Sequence, residues 1–342
     1  MTTDPDRLRL IARTLRVEEA RWHKLEKDFA EQCRTTNESV DGRIRVLKQI
    51  WASLMPHEAG LDQPLDNDPI CPVCKAEAVQ VVAVRWRRAG GPLVYGSCGN
   101  CDLGILLHGG AKNSIYSQPD YYLRQDDGAG YEDYLSERAY REAKGRRLIE
   151  WIQKRIGRPL DNFLEVGSGF GFTRSGAEQL GLETAGVDVN PEAAKIALDL
   201  YGQQTFAGTL ADAIGSGAAA IGNFDIVCYQ FVLEHLANPA GELELAAQTM
   251  APRGVLVLVV PNMRSHEREI FGASYRSFRP DHLWLFSPTS IAILLEQAGL
   301  RGVTIESECN IRLLDGFFSA AELFEFDAEC RSADLLIIAE KK

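Results

Sequence analysis

The stretch Phe163-Leu164-Glu165-Val166-Gly167-Ser168-Gly169-Phe170-Gly171-Phe172 decides the fold. Phe163, Leu164 and Val166 make a short apolar run suited to a strand covered on both faces. Gly167, Gly169 and Gly171 follow at alternate positions, where any Cβ would hold a ligand away from the backbone amides. The ten residues read as a buried strand, a glycine-rich turn and the start of a helix. A small molecule is expected at the turn.

Two ligand classes use such a turn, and the spacing separates them. A dinucleotide fingerprint, G-x-G-x-x-G, requires a third glycine at position 172, which is Phe172. The residues fit E-x-G-x-G-x-G instead. A carboxylate at the mouth of the turn, Glu165, would repel a pyrophosphate but suits the ammonium and sulfonium of S-adenosylmethionine. On these residues the chain resembles the class I S-adenosylmethionine-dependent methyltransferases, whose first motif has this form. A tight turn that binds nothing is the competing reading, so the flanking segments have to agree.

They do so in order. Thr184-Ala185-Gly186-Val187-Asp188 is a second short strand ending in a carboxylate. Asp188 stands 21 positions after Gly167, the separation at which an acidic residue accepts hydrogen bonds from ribose hydroxyls. Pro191 opens the next helix. A third strand is read at Gln204–Phe206, a fourth at Phe224–Tyr229 and a fifth, continuously apolar, at Val255–Val260. Gln230-Phe231-Val232-Leu233-Glu234-His235-Leu236 closely resembles the family segment after the fourth strand. Asp281-His282-Leu283-Trp284-Leu285-Phe286-Ser287-Pro288, with the helix Thr289–Ala298 behind it, resembles one subgroup's motif after the fifth. The last strands fall at Val303–Glu306 and Asp334–Lys341, around an insertion, 310–332, expected either to cover the active site or to be a surface loop.

The expected class is α/β, with a doubly wound, mostly parallel sheet; the resemblance makes it seven-stranded and Rossmann-like. It also implies that Glu165, Gly167, Gly169, Gly171, Asp188, Val189, Thr209, Leu210 and Gln230 bind the cofactor, with Thr209 and Leu210 near the adenine.

Composition sets outer limits. At 342 residues the chain exceeds one typical core, and its 45% hydrophobic and 25% charged residues are those of a globular protein. The net charge of −11 argues against a general nucleic-acid surface. Residues 1–60 hold 11 Lys plus Arg against 10 Asp plus Glu, which leaves about −12 on the remainder. The longest apolar run, Val255–Val260, is too short to span a membrane. Charged residues at the amino terminus, with no apolar core behind them, argue against a signal peptide, so a cytoplasmic location is expected.

Upstream of the glycine turn, three segments are distinguished. Apolar residues at a seven-residue period over 7–33 (Leu8, Leu15, Trp22, Phe29), then Ile44, Leu47, Trp51 and Leu54, predict a helical hairpin over 1–60. Its stripe is expected either to pack on the chain or to form a homodimer. After a linker at Leu61–Pro69, Cys71-Pro72-Val73-Cys74 and Cys98-Gly99-Asn100-Cys101 flank a strand-like segment, Val79–Trp86. Two C-x-x-C pairs at this separation predict a zinc ribbon over 61–111, closed by four thiolates and hence structural. A redox pair is the competitor. Residues 112–144 carry Tyr116, Tyr121, Tyr122, Tyr131, Tyr134 and Tyr140, and read as a lid or as rings packed on the domain of 145–342.

Methyl transfer is an in-line displacement, and an alcohol acceptor must also lose a proton to a base with a pKa near 7. Two histidines follow strand ends, His235 and His282, with Glu234 and Asp281 as residues that would orient them. The reading is an S-adenosylmethionine-dependent methyltransferase acting on an oxygen of a sugar, glycan or other small bacterial metabolite. A zinc-knuckle segment ahead of such a domain resembles the bacterial sugar-tailoring methyltransferases. That resemblance alone supports a second reading, C-methylation of a deoxy-ketosugar nucleotide. A third, a non-catalytic cofactor-binding module that joins an assembly, fits the hairpin and ribbon but leaves Glu165, the glycines and Asp188 without a purpose.

Overall fold

The computed structural model describes residues 15, 18–33, 39–55, 70–86, 91–112, 115–123, 130–131, 133–219, 222–308, 313–315 and 317–342. The expected linker at 61–69 and the position of Leu8 lie outside them. In chain order the elements are α1 (Glu19–Cys33), α2 (Val40–Leu54), β1 (Val79–Trp86), β2 (Pro92–Cys98), β3 (Gly104–His108), α3 (Arg138–Ile156), β4 (Asn162–Val166), α4 (Phe172–Glu178), β5 (Glu183–Asp188), α5 (Pro191–Tyr201), β6 (Thr205–Ala207), α6 (Leu210–Ser216), β7 (Phe224–Gln230), α7 (Pro239–Thr249), β8 (Met250–Pro261), α8 (His266–Phe271), β9 (Trp284–Leu285), α9 (Pro288–Gln297), β10 (Leu300–Glu308), α10 (Ala320–Ala328) and β11 (Asp334–Lys341).

Contacts divide the chain into two compact units: residues 1–110, 261–290 and 306–335, and residues 111–260, 291–305 and 336–342. The expected linear order is thereby interleaved. Two pieces of the stretch read as one carboxy-terminal domain cluster with the amino-terminal segments instead.

The second unit is built on the seven-stranded sheet, ordered β10-β11-β8-β7-β4-β5-β6. β4 pairs in parallel with β5 and β7, β5 with β6, and β7 with β8. The sheet is mostly parallel, as the alternating pattern predicts, and its central strands are apolar because helices cover both faces. Phe163, Ile226, Val257, Val259 and Ile338 share a core with Ile149 and Ile152 of α3. Helix ends obey local chemistry. The Asn190 side chain caps α5, with Pro191 in its first turn, and left-handed Gly157 and Gly202 close α3 and α5. Parallel pairing in register brings the carboxyl ends of β4, β5 and β7 to one edge, where the turns after Val166, Asp188 and Gln230 lie together.

In the first unit α1 and α2 form the expected hairpin. Its stripe is covered within the chain: Trp22, Leu25, Phe29, Leu47 and Trp51 pack with Ile270, Phe271, Leu313, Leu314, Phe317 and Phe326. The described part of the 310–332 segment thus covers the hairpin. It contains a helix, α10, because Ser319 and Glu322 form a reciprocal capping box. The buried stripe residues are not available to a second copy. β1, β2 and β3 form an antiparallel ribbon, and β9 adds to it as a fourth strand through Gly104↔Leu285 and Ile105↔Trp284. Among the described residues no helix is long and apolar enough to cross a membrane.

Candidate active site and cysteine cluster

The glycine turn after β4 adopts the conformation its residues predict. Gly167 (φ +72°) and Gly171 (φ +80°) are left-handed, and a Cβ at Gly167 would lie 2.3 Å from Cγ2 of Val232. The backbone N–H of Gly167 donates to Val187 O at 2.8 Å, and that of Gly169 to Oδ2 of Asp188 at 2.7 Å. The turn is therefore held against the end of β5 by the carboxylate expected there.

A cavity of about 340 Å³ opens over this turn. Of the residues expected to bind the cofactor, Glu165, Gly167, Asp188, Val189, Thr209, Leu210 and Gln230 line it, whereas Gly169 and Gly171 shape the turn without lining it. Glu165 is 3% exposed. The Thr173 hydroxyl and the Arg174 backbone N–H bond it, while its Oε2 meets no partner. Burial pushes the Glu165 carboxyl up to about 8, although Arg174 and Thr173 pull the other way. Gln230 donates through Nε2 to Oγ1 of Thr173 at 2.9 Å. Asp188 Oδ1 accepts from Asn190 N–H at 2.8 Å and its Oδ2 from the Tyr122 hydroxyl at 3.3 Å. Burial raises the Asp188 carboxyl as well, against those bonds. Thr209 and Asp212 form a capping box at the start of α6, so the Thr209 hydroxyl is spent on the helix and what it offers the cavity is its backbone and methyl group.

The tyrosine-rich segment packs as one aromatic cluster. Tyr122 stacks on Tyr131 with centroids 5.7 Å apart and meets Phe170 at 5.0 Å; Tyr134 meets Phe170 and Phe172, both at 5.2 Å. The rings pack on the domain, and Tyr116, Tyr121, Tyr122, Tyr131 and Tyr134 line the cavity wall. The Arg141 guanidinium sits 4.1 Å from the Tyr134 centroid and Lys144 Nζ 4.7 Å from that of Phe231, itself left-handed at φ +56°.

His235 lines the same cavity, and its Nδ1 lies 3.0 Å from the Tyr116 hydroxyl. Glu234 is fully buried and does not line the cavity, and one of its carboxylate oxygens lies within 4.8 Å of a His235 ring nitrogen. His282 belongs to the other unit, where its Nδ1 lies 2.9 Å from Ser277 O. Asp281 is buried. It makes a two-point ion pair with Arg279 at 3.0 and 3.1 Å. Thr173, Arg174 and Glu242 escaped the sequence reading, which named Tyr116 only among the tyrosines of 112–144. The single glycine inside β5, Gly186, was the available signal for Arg174, since such a glycine marks a close approach.

A family model described as a methyltransferase domain matches residues 137–305, which hold the glycine turn, Asp188 and His235. The ubiquinone biosynthesis O-methyltransferase of Burkholderia pseudomallei (strain 1710b) is 26% identical over 168 residues, 46% of this chain and 72% of its own. That of Azoarcus sp. (strain BH72) is 28% identical over 168 residues, 46% and 71% of the two chains. The chain is an S-adenosylmethionine-dependent methyltransferase. Among solved structures, the methyltransferase is similar to an S-adenosylmethionine-dependent methyltransferase from Archaeoglobus fulgidus, at 23% identity and TM-score 0.45 over 61% of this chain and 99% of that one. It is also similar to the 1,6-didemethyltoxoflavin-N1-methyltransferase of Burkholderia thailandensis, at 14% identity and TM-score 0.46 over 76% and 99%.

In its first unit the methyltransferase brings Cys71, Cys74, Cys98 and Cys101 together, with all four sulfurs within 4.8 Å of one another. Cys71 and Cys101 sulfurs are 3.6 Å apart, and those of Cys74 and Cys98 3.5 Å. Four ligands around one zinc at ~2.3 Å have edges of about 3.8 Å, so the donor set fits a tetrahedral zinc. The two knuckles repeat each other. Lys75 N–H donates to Cys71 O and Asp102 N–H to Cys98 O, both at 2.9 Å, and Lys75 (φ +62°) and Asp102 (φ +55°) are both left-handed. The left-handed conformation falls on the residue after each second cysteine.

Proposed function

We propose that this methyltransferase methylates a hydroxyl oxygen of a small molecule, with a carbohydrate as the acceptor class. The observation that carries the reading is a histidine, His235, on the wall of the cavity that Glu165 also lines. The relatives, ubiquinone biosynthesis O-methyltransferases, support oxygen as the methylated atom. The carbohydrate class rests on the resemblance to sugar-tailoring enzymes.

S-adenosylmethionine supplies a methyl group on a cationic sulfur. Glu165, with Oε2 turned to no protein donor, is assigned to the cationic end of that molecule, and Asp188 to its ribose hydroxyls. Gly167, Val189, Leu210 and Gln230 complete its walls. His235 acts as the base in the tautomer that carries its proton on Nδ1. That nitrogen then donates to the Tyr116 oxygen, and Nε2 becomes the basic nitrogen that takes the acceptor's proton. The aromatic wall around Tyr122 and Tyr134 excludes water from the transfer. The four cysteines hold a structural zinc that folds a segment too small for a core of its own.

Calorimetry with S-adenosylhomocysteine, followed by a labelled-methyl assay against a panel of hydroxylated sugars and sugar nucleotides, tests the reading. Micromolar binding to the intact protein is expected, lost in Asp188→Ala. Label in an ether carbon is expected, and His235→Ala should lower turnover by ~10²-fold or more while leaving binding intact. Label on carbon would favour the ketosugar reading, and near-normal turnover in His235→Ala would remove the base.

A further inference from the structure

Arg174 is a fully buried arginine on α4 whose place in the mechanism is not explained by the cavity lining. Its side chain lies against Gly186 so closely that a Cβ on that glycine would stand 2.6 Å from Cζ and 2.7 Å from Nε. In the sheet, Gly186 is the direct partner of Glu165 on one side and of Thr205 on the other, and Glu165 is in turn the partner of Cys228. Partners in register present their side chains on the same face of the sheet, about 4.8 Å apart. The row Cys228, Glu165, Gly186, Thr205 therefore carries on one face a thiol, a carboxyl, a gap and a hydroxyl. The Arg174 guanidinium fills the gap. It donates through Nη1 to Gln204 O at 2.9 Å and through Nη2 to Oγ1 of Thr205 at 2.5 Å, and its Nε has no partner. Asp188 follows Gly186 by two positions along β5 and so faces the same way.

We infer that Arg174 is a positioning residue that neutralises Glu165 and Asp188 from behind the cofactor cavity and so sets the pH range in which the cofactor is bound. The inference rests on the assignment of those two carboxylates to the cofactor. Its physical basis is the cost of a buried charge: a carboxylate at 3% or 4% exposure ionises only where a cation shares its low-dielectric surroundings. Arg174 is the cation that acts on both. The other groups that bear on Glu165 are the Thr173 hydroxyl, Cys228, Tyr134 and Asp188 itself. Those on Asp188 are Tyr122, Tyr134, Glu165 and the N–H groups of Gly169 and Asn190. Glu178 faces Arg174 from its own helix. Gly186 is glycine because the guanidinium occupies the volume a side chain would need.

The test is isothermal calorimetry of S-adenosylhomocysteine binding between pH 6 and 9. Wild type should bind about tenfold more tightly for each pH step of one until the carboxyl ionises near 8, then level off. Arg174→Gln should move that break upward by one pH step or more, so that affinity falls at least tenfold at pH 7 and recovers at pH 9; Arg174→Lys should return the break toward wild type. Loss by one factor at every pH would mark a merely structural role and overturn the inference. Should Arg174→Gln fail to fold, Thr205→Val, which removes only the Nη2 anchor, should shift the break in the same direction, and an unshifted break overturns the inference equally. Glu165→Gln keeps the two assignments apart. A flattened profile in that variant upholds Glu165 as the cofactor's partner, while an unchanged sloping profile removes that assignment rather than the role of Arg174.

Discussion

Gly167→Ala offers the most direct quantitative check of the glycine turn. Two separable penalties arise. A left-handed alanine at φ +72° costs about 1–2 kcal/mol relative to glycine. The new methyl also lands 2.3 Å from Cγ2 of Val232, where carbon atoms prefer ~3.5–4.0 Å. Rotation of Val232 does not clear the overlap, because its Cγ1 and Cβ lie only 3.3 and 3.4 Å away. Either the turn or the segment carrying Phe231 and His235 has to move, an overpacking cost of about 1–3 kcal/mol. The sum is roughly 2–5 kcal/mol of stability. Urea unfolding of the single variants and of Gly167→Ala with Val232→Ala closes a double-mutant cycle. The double variant should recover the steric part, a favourable coupling of about 1–3 kcal/mol, and retain the backbone part. S-adenosylhomocysteine affinity should recover alongside it. A Gly167→Ala change below ~0.5 kcal/mol, or a coupling indistinguishable from zero, would show that the turn is not built as described.

Three further outcomes follow from other parts of the chain. Purified protein should contain one zinc per chain, with Cys98→Ser or a strong chelator unfolding the ribbon in circular dichroism and proteolysis; a metal-free protein with an intact ribbon would refute the site. Trp22→Ala, at a fully buried ring 5.6 Å from Phe317 and 6.0 Å from Phe271, should cost about 3–5 kcal/mol independently of protein concentration, whereas a concentration-dependent loss would place that face between copies. Glu165 links stability to pH. Its folded-state pKa, about 8, exceeds the ordinary 4.5, so between those values the folded protein keeps a proton that the unfolded chain has lost. Stability should therefore fall by roughly 5 kcal/mol as pH rises from about 4.5 to 8 and then level, and Glu165→Gln should abolish that component; identical curves for the two proteins would contradict the burial described.

Much of the site was legible because it depends on local backbone and ligand chemistry. Gly167 and Gly171 must be left-handed whatever surrounds them, four thiolates in C-x-x-C pairs suit one metal, and a carboxylate 21 positions after Gly167 marks the end of the next strand. The order of strands and helices in the seven-stranded sheet was likewise written in alternating apolar runs. What could not be read is whatever depends on which surfaces meet. The stripe of α1 and α2 is equally suited to a partner copy or to its own chain, and only packing against Phe271 and Phe317 chose the latter. Glu234 and Asp281 sit beside histidines in sequence, yet the other partners of these groups come from elsewhere; His235 meets Tyr116, 119 residues away, and Asp281 pairs with Arg279.

Arg174 draws the line between the two most sharply. By itself the sequence determined a strand, a turn, a helix and a cofactor: the glycines, Glu165 and Asp188 carry that information in their own conformations and charges. That an arginine two residues into the helix fills the gap at Gly186 was decided by the register of β4, β5 and β6, which aligns Glu165, Gly186 and Thr205 in one row. Register is a property of paired strands, and no single stretch of the chain contains it.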